Sequence, residues 1–233
     1  MAVKVVVSGR GEIKRQPELG LVNIQIRSTS QDQAKVSADV RNTVKMVHDQ
    51  LEPLASSSSD HDPNTPAVKE WSSGLLSTYS YFEHPGSNYH SVQPKSARTR
   101  VYEASVNISA TFTDFTRLAD FSTAMSLVPH AEVQDVSWLL TEETKQRLNS
   151  EAIGLAYKDA SSKADAYATA LGKTGVTPVE ISQSDDTVFG FGGAAPMMAR
   201  AAGVPDDNGG ERLSCAPQDV SFSVNCSVTF QVE

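Results

Sequence analysis

The side chains best equipped for chemistry gather in one region, Trp71 to His90, with Trp138 much later in the chain. Tyr79, Tyr81 and Tyr89 bring phenols, His84 and His90 bring imidazoles, and Trp71, Phe82 and Trp138 bring apolar surface. Aromatic bodies with polar tips are the usual lining of a small-molecule pocket. In such a pocket Tyr79, Tyr81, His84, Tyr89 or His90 would donate a hydrogen bond or shuttle a proton, while Trp71, Phe82 and Trp138 would bind the substrate. The chemistry would be cofactor-free cyclisation, isomerisation or addition on a small apolar metabolite. The same aromatics also suit a core and a subunit interface, and that reading stands first.

Other familiar chemistry is not written in the chain. His48, His61, His84, His90 and His130 show no i,i+4 pairing and no adjacent cysteine pair, so no metal site is expected. A solvated histidine is the default reading for each. There is no GxSxG elbow, no HExxH, and no histidine near either cysteine in sequence. Gly9-Arg-Gly11 lacks the third glycine and the helix of a dinucleotide fingerprint, and Gly190, Gly192 and Gly193 lack the Lys-Ser/Thr of a phosphate loop. Cys215 and Cys226 form no CxxC, and reduced thiols with Cys226 buried are expected. No cofactor is implied.

Composition narrows the partners. A chain of 233 residues with 39% hydrophobic content can bury a real core. A net charge of -8 without a Lys/Arg cluster argues against nucleic acid and anionic membrane, both of which need a basic footprint. No apolar run reaches a membrane span, and Met1 to Ser8 reads as a short strand without a basic n-region. A cytoplasmic location is the expectation.

The elements that must position these residues begin at the far end. Val220 to Val232 alternates apolar and polar residues without error, the mark of a strand with one dry face. Val3 to Val7 begins another strand, with a bend or bulge at the glycines and a hairpin to Leu19 to Thr29. Ser30-Gln-Asp-Gln33 has the form of a capping box for a helix carrying Val36, Val40, Val44, Val47, Leu51 and Leu54, ended by Pro53. Trp71 to Phe82 reads as a strand broken at Gly74. Tyr102 to Phe112 alternates, with Glu103, Ser105, Asn107, Ser109 and Thr111 directed outward. Asp114 caps a helix with Leu118, Phe121, Met125 and Val128 on one stripe, and Val133 to Leu140 follows as a strand. The longest helix runs from a Thr141 cap to Leu171 and Gly172, with Ile153, Ala156, Ala160, Ala164, Tyr167 and Leu171 as its stripe and Asp159 paired with Lys163 on the wet side. Val176 to Ser182 is a last short strand before the long connection Gln183 to Gln218. The terminal strand is expected to insert beside Tyr102 to Phe112, both under the alanine-lined helix.

With this order in place, the chain resembles the SIMPL-domain family. That family includes bacterial periplasmic immunogenic and oxidative-stress-defence proteins and an animal protein that binds a pelle-like kinase. The resemblance rests on Val7-Ser-Gly-Arg-Gly-Glu-Ile13 with Pro17, the Tyr102 to Thr113 strand, the Glu151-Ala152 to Leu171-Gly172 helix with Asp159-Ala160 and Lys163-Ala164, Pro196-Met-Met, and the terminal strand. It implies an α+β fold, a mainly antiparallel mixed sheet with helices on one face, and assembly into dimers and larger rings. It implies no catalytic residues. One SIMPL-like domain over 1–233 is expected, with flexible segments near 56–66, 84–97 and 184–216. The polar residues in Ser56 to Pro66 and His84 to Ala97 depart from the bacterial pattern.

The functional expectation is a self-assembling protein with a non-enzymatic role in stress response or protein interaction, and the alternative is the cofactor-free enzyme. Expected partners are copies of the chain, a protein or a small apolar ligand.

Overall fold

The computed structural model describes residues 2–56, 65–83, 99–183 and 216–233. Its elements are β1 (Val3–Arg15), β2 (Leu19–Ser30), α1 (Gln33–Ser56), β3 (Val68–Ser73), β4 (Ser77–Glu83), β5 (Thr99–Phe112), α2 (Phe115–Met125), β6 (Ala131–Leu139), α3 (Glu142–Ala170), β7 (Val176–Gln183) and β8 (Val220–Val232). The class is α+β. The strands divide between two antiparallel sheets, of order β1-β8-β7 and β3-β5-β2-β6, with β4 also paired to β5. The residues cluster into two compact units. One contains β1, α3, β7 and β8, and the other contains β2, α1, β3, β4, β5, α2 and β6 as far as Ser137.

In the first unit the alternation of β8 fixes everything else. Phe222, Val224, Cys226, Val228, Phe230 and Val232 are buried, and α3 covers them. β8 does not lie beside Tyr102 to Phe112, as periodicity suggested. It pairs along its whole length with β1, from Val3 opposite Val232 to Arg15 opposite Val220. The β1–β2 hairpin is therefore also absent, and β1 and β2 belong to different sheets. Two equally dry strands are interchangeable by pattern alone, so their neighbours had to come from elsewhere in the chain.

Gly9 and Gly11 are not a bend either. β1 runs straight through them, opposite Cys226 and Val224. A Cβ added at Gly9 would meet the Ala156 carbonyl oxygen at 2.0 Å, and one at Gly11 the Ala152 carbonyl oxygen at 2.0 Å. Glycine in a strand marks close approach of another backbone, and here that backbone is α3. The buried stripe of α3 is Thr144, Leu148, Ala152, Ala156, Ala160, Ala164 and Ala168. Small residues spaced by four bring the helix down onto glycine, while Ile153, Tyr167 and Leu171, expected on the stripe, are exposed.

The ends of α3 follow their local signals. Thr141 is the N-cap, accepting from the Thr144 amide, and Gly172 turns the chain away at φ 69°. Glu18 adds a carboxylate at the same helix start. Its Oε2 accepts from the Thr141 amide at 2.8 Å and its Oε1 from the Thr144 hydroxyl at 2.7 Å. Burial alone would raise the Glu18 pKa. The Thr141 hydroxyl and amide, the Thr144 hydroxyl and the charge of Arg147 together bring it below the ordinary carboxylate range.

In the second unit Val36, Val40, Thr43, Val47 and Leu51 of α1 and Leu118, Phe121 and Met125 of α2 are buried. They complement Val22, Ile24 and Ile26 of β2 and Ala104, Val106, Ile108, Ala110 and Phe112 of β5, all buried. Asp114 caps α2 by accepting from the Thr116 and Arg117 amides. The cap of α1 is Asp32 rather than Ser30, because the Asp32 carboxylate accepts from the Ala34 and Lys35 amides. Ser30 is the last residue of β2. Pro53 does not end α1, which continues to Ser56. A proline in the final turn removes one intrahelical hydrogen bond without blocking three more residues.

Candidate functional site

Cross-strand register assembles one face of the second unit's sheet residue by residue. Arg27 of β2 stands opposite Ser105, Gln25 opposite Asn107, and Asn23 opposite Ser109. On the other side of β5, Tyr79 of β4 stands opposite Glu103 and Tyr81 opposite Val101. Directly paired residues project to the same side, so this is the face away from the apolar set. It carries few charges, and two of them are joined.

Glu103 is the centre. Its polar neighbours on β5 predict an outward, solvated side chain, yet it is only 4% exposed. The Arg27 guanidinium donates to its carboxylate at 2.5 Å, and the Tyr79 hydroxyl donates from the opposite strand. Burial alone would raise the Glu103 pKa. The hydrogen bonds from Arg27 and then Tyr79, with the charge of Arg27, outweigh burial and hold it below the ordinary range. The reciprocal effect raises the Tyr79 phenol, first through its bond to Glu103 and then through desolvation. Glu103 is thus kept ionised and Tyr79 neutral.

Tyr79 and Tyr81 point the same way, two residues apart on β4, with ring centroids 6.2 Å apart and planes tilted by 32°. Both rings keep an exposed surface, at 50% and 41%. The other aromatics named from the sequence are elsewhere. Trp71 on β3 stands opposite the buried Ala110 and packs against His48 of α1, ring centroids 4.7 Å apart. His48 is therefore not a solvated histidine, and its Nε2 is buried with no hydrogen-bond partner among the described residues. Phe82 follows Tyr81 and by strand alternation projects to the opposite side of β4. Trp138 is on β6, which β2 and β5 separate from β4. His84, Tyr89 and His90 lie outside the described residues, as do His61, Cys215 and the segment Phe189 to Gly203.

Arg27 and Glu103 are what a sequence reading missed. A signal existed: each is the only charged residue on the polar side of its strand's alternating stretch, among Asn, Gln, Ser and Thr. His130 has a left-handed backbone, φ 65°, and its Nε2 lies 4.0 Å from Asp39, to which the Ser28 hydroxyl also donates. Among the described residues no group of three or more His, Cys, Asp or Glu is arranged to hold a metal ion. No described helix is long and apolar enough to cross a membrane.

These features define an α+β protein of two antiparallel sheets with helices against their apolar sides and a polar, tyrosine-bearing sheet face. The chain belongs to the SIMPL family, described as a protein of unknown function (DUF541), whose sequence profile matches residues 5–230. No curated protein matches it.

Proposed function

We infer that the chain is a non-enzymatic protein-interaction module that also assembles with copies of itself. One observation carries this reading. β4 pairs only with β5 among the described residues, and the turn and strand from Leu75 to Phe82 expose Leu75 (93%), Leu76, Tyr79, Tyr81 and Phe82 (54%). An edge strand with unpaired backbone groups and exposed apolar side chains is a template for another strand unless something covers it. Covering one such side chain fully contributes about 1.5–3 kcal/mol. In the other unit the edge is treated differently: Asp159 accepts from the Arg10 amide and Lys163 donates to the Ser8 carbonyl, occupying the outer side of β1.

The enzymatic alternative has less support. An acid or base works best with its pKa near the operating pH, whereas Glu103 is held down and Tyr79 pushed up. A role in stress response, and a cytoplasmic location in which Cys226 stays a buried thiol, remain parts of the proposal drawn from the resemblance and the sequence.

Native mass spectrometry at high micromolar concentration tests the reading. The expected result is an oligomer that Leu75→Asp with Phe82→Lys reduces to monomer while circular dichroism is unchanged. A wild-type monomer, or an oligomer indifferent to both substitutions, defeats it.

A further inference from the structure

We propose that β4 is the seam of a two-fold dimer, lying antiparallel to the β4 of a second copy of this chain with Tyr79 facing its own symmetry mate. This deepens the assembly reading and rests on it. It names the partner strand, its direction and its register.

The first ground is that, among the described residues, the other sheet edges are guarded and this one is not. Natural edges are blunted by charge, proline, bulges or a covering element. β1 has α3 over it, through Asp159 and Lys163. β7 has Pro178 and a register shift between Pro178 and Glu180. β3 has Lys69, Glu70 and a register shift between Val68 and Glu70, and β6 carries Glu132 and Asp135. β4 instead matches β5 residue for residue, from Ser77 opposite Ser105 to Glu83 opposite Thr99. No residue from Trp71 to Phe82 is charged, in a chain whose net charge is -8. Two copies therefore meet little repulsion along this stretch.

The second ground is the geometry of the ladder. Facing residues of an antiparallel pair either both bond across it or both point away. Alternate residues of β4 already bond to β5, so only residues of the same parity can face one another across a new seam. The two-fold axis then passes through a residue, and Thr78, Tyr79 and Ser80 are the central choices.

The third ground is exposure, which selects among them. With Tyr79 at the axis, Leu76 faces Phe82 of the second copy, Thr78 faces Ser80, and Ser77 faces Tyr81. Leu76 and Phe82 are both exposed, and by alternation they lie on the side of the strand away from Tyr79. Their contact occurs twice by symmetry, while the exposed Tyr79 meets its mate on the other side. With Ser80 at the axis, Phe82 would face Thr78 and Leu76 would fall beyond Glu83 of the second copy. With Thr78 there, Phe82 would face Gly74 and Leu76 would face Ser80. Of the three, the Tyr79 axis alone sets apolar against apolar on one side and ring against ring on the other, the cross-strand pairs that stabilise a sheet. Such an isologous contact uses the same strand of both copies and closes at two.

The test is oxidative cross-linking of the full chain carrying Cys215→Ser, with the buried Cys226 left in place. Thr78→Cys, Tyr79→Cys and Ser80→Cys are oxidised singly, and Thr78→Cys is also oxidised in a mixture with Ser80→Cys. Non-reducing gels read the linked dimer. Facing residues bring their α-carbons to about 4.5–5.5 Å, within reach of a disulfide, whereas residues displaced by two stand about 7–8 Å apart. Tyr79→Cys alone and the mixture are expected to cross-link about tenfold more than Thr78→Cys or Ser80→Cys alone. The mixture decides the register even where Tyr79→Cys folds poorly, which urea midpoints report. Cross-linking strongest at Thr78 alone or Ser80 alone, or equal at all three as parallel strands would give, overturns the inference. So does an oligomer in native mass spectrometry with no cross-link at any of these positions, and in each of these cases the assembly reading stands. A monomer with no cross-link defeats both.

Discussion

Gly11 lies directly beneath the carbonyl of Ala152, so that a methyl group on its α-carbon would stand 2.0 Å from that oxygen. Both partners are backbone, and no rotamer change relieves the clash. Either α3 lifts from β1 or the strand bows, and the clusters around Ile13, Leu148 and Phe222 and around Val7 and Val228 loosen.

Gly11→Ala and Gly9→Ala are therefore expected to destabilise the protein by about 3 kcal/mol or more, the upper end of overpacking costs. Gly154, on α3 with nothing within 4 Å of an added Cβ, is the control. Gly154→Ala should stabilise by about 0.5–1 kcal/mol, because alanine loses less backbone entropy in a helix interior. Urea unfolding of the three variants checks both signs. Equal effects at Gly11 and Gly154 would mean that the close contact carries no weight.

The same glycines show what a linear sequence can and cannot convey. The caps at Thr141 and Asp114 and the alternations of β5 and β8 act within a few residues and could be read directly. Glycine has a local meaning, a turn, and a distant one, room for another backbone, and only the fold decides between them. The Ser30 capping box failed because Asp32 offers a competing acceptor two residues later. At the candidate site Tyr79 and Tyr81, two residues apart on one strand, could be grouped from the sequence, but the residues that face them could not. Arg27 and Glu103 are 76 residues apart, and a polar side chain on an alternating strand looks solvated until its partners are known. Trp71 joined the wrong group because β3 and β4 flank the same strand but turn these aromatics to opposite sides of it.

The Glu103 clamp should leave a mark on acid stability. Its folded pKa is depressed, so the stability it contributes is fully present above the ordinary glutamate value, about 4.3, and is lost as pH falls through the folded value. Glu103→Gln should cost about 1–3 kcal/mol at neutral pH, since Arg27 and Tyr79 lose a charged acceptor. It should also flatten the part of the stability curve below about pH 4.3. Chemical denaturation between pH 3 and 7 tests this. Parallel curves for wild type and variant would mean that the clamp is not coupled to folding.

Glu18 predicts a second acid-sensitive contact, in the other unit. It caps α3 through Thr141 and Thr144, and its pKa is also lowered. A negative charge at a helix start interacts favourably with the dipole, so Glu18→Gln should lose that term and keep part of the hydrogen bonding. A loss of about 0.5–1 kcal/mol at pH 7 is expected for Gln, and about 1–2 kcal/mol for Ala, which removes the acceptors as well. At a pH below the folded value, protonation removes the same charge from the wild type, and the Gln variant should then match it. A Gln variant that stays less stable there would show that the charge is not the source of the cost.

The final prediction concerns the edge that α3 closes. Asp159 accepts from the Arg10 amide at 2.9 Å and from Lys163 at 2.6 Å, while Lys163 donates to the Ser8 carbonyl at 2.9 Å. Lys163 and then the Arg10 amide hold the Asp159 carboxylate below its ordinary range, so the clip persists to lower pH than an isolated aspartate would allow. In an antiparallel strand Ser8 and Arg10 turn their backbone groups to the same side, here the side away from β8. Asp159→Ala should therefore strip hydrogen-exchange protection from the Arg10 amide by about tenfold or more while the β1 amides that face β8 keep theirs. With Lys163→Met added, the outer side of β1 would also lose its second occupant. The double variant should then begin to associate through sheet edges, whereas Leu75→Asp with Phe82→Lys acts on the other sheet and should not prevent it. Unchanged exchange at Arg10 would show that the helix lies over this edge without guarding it.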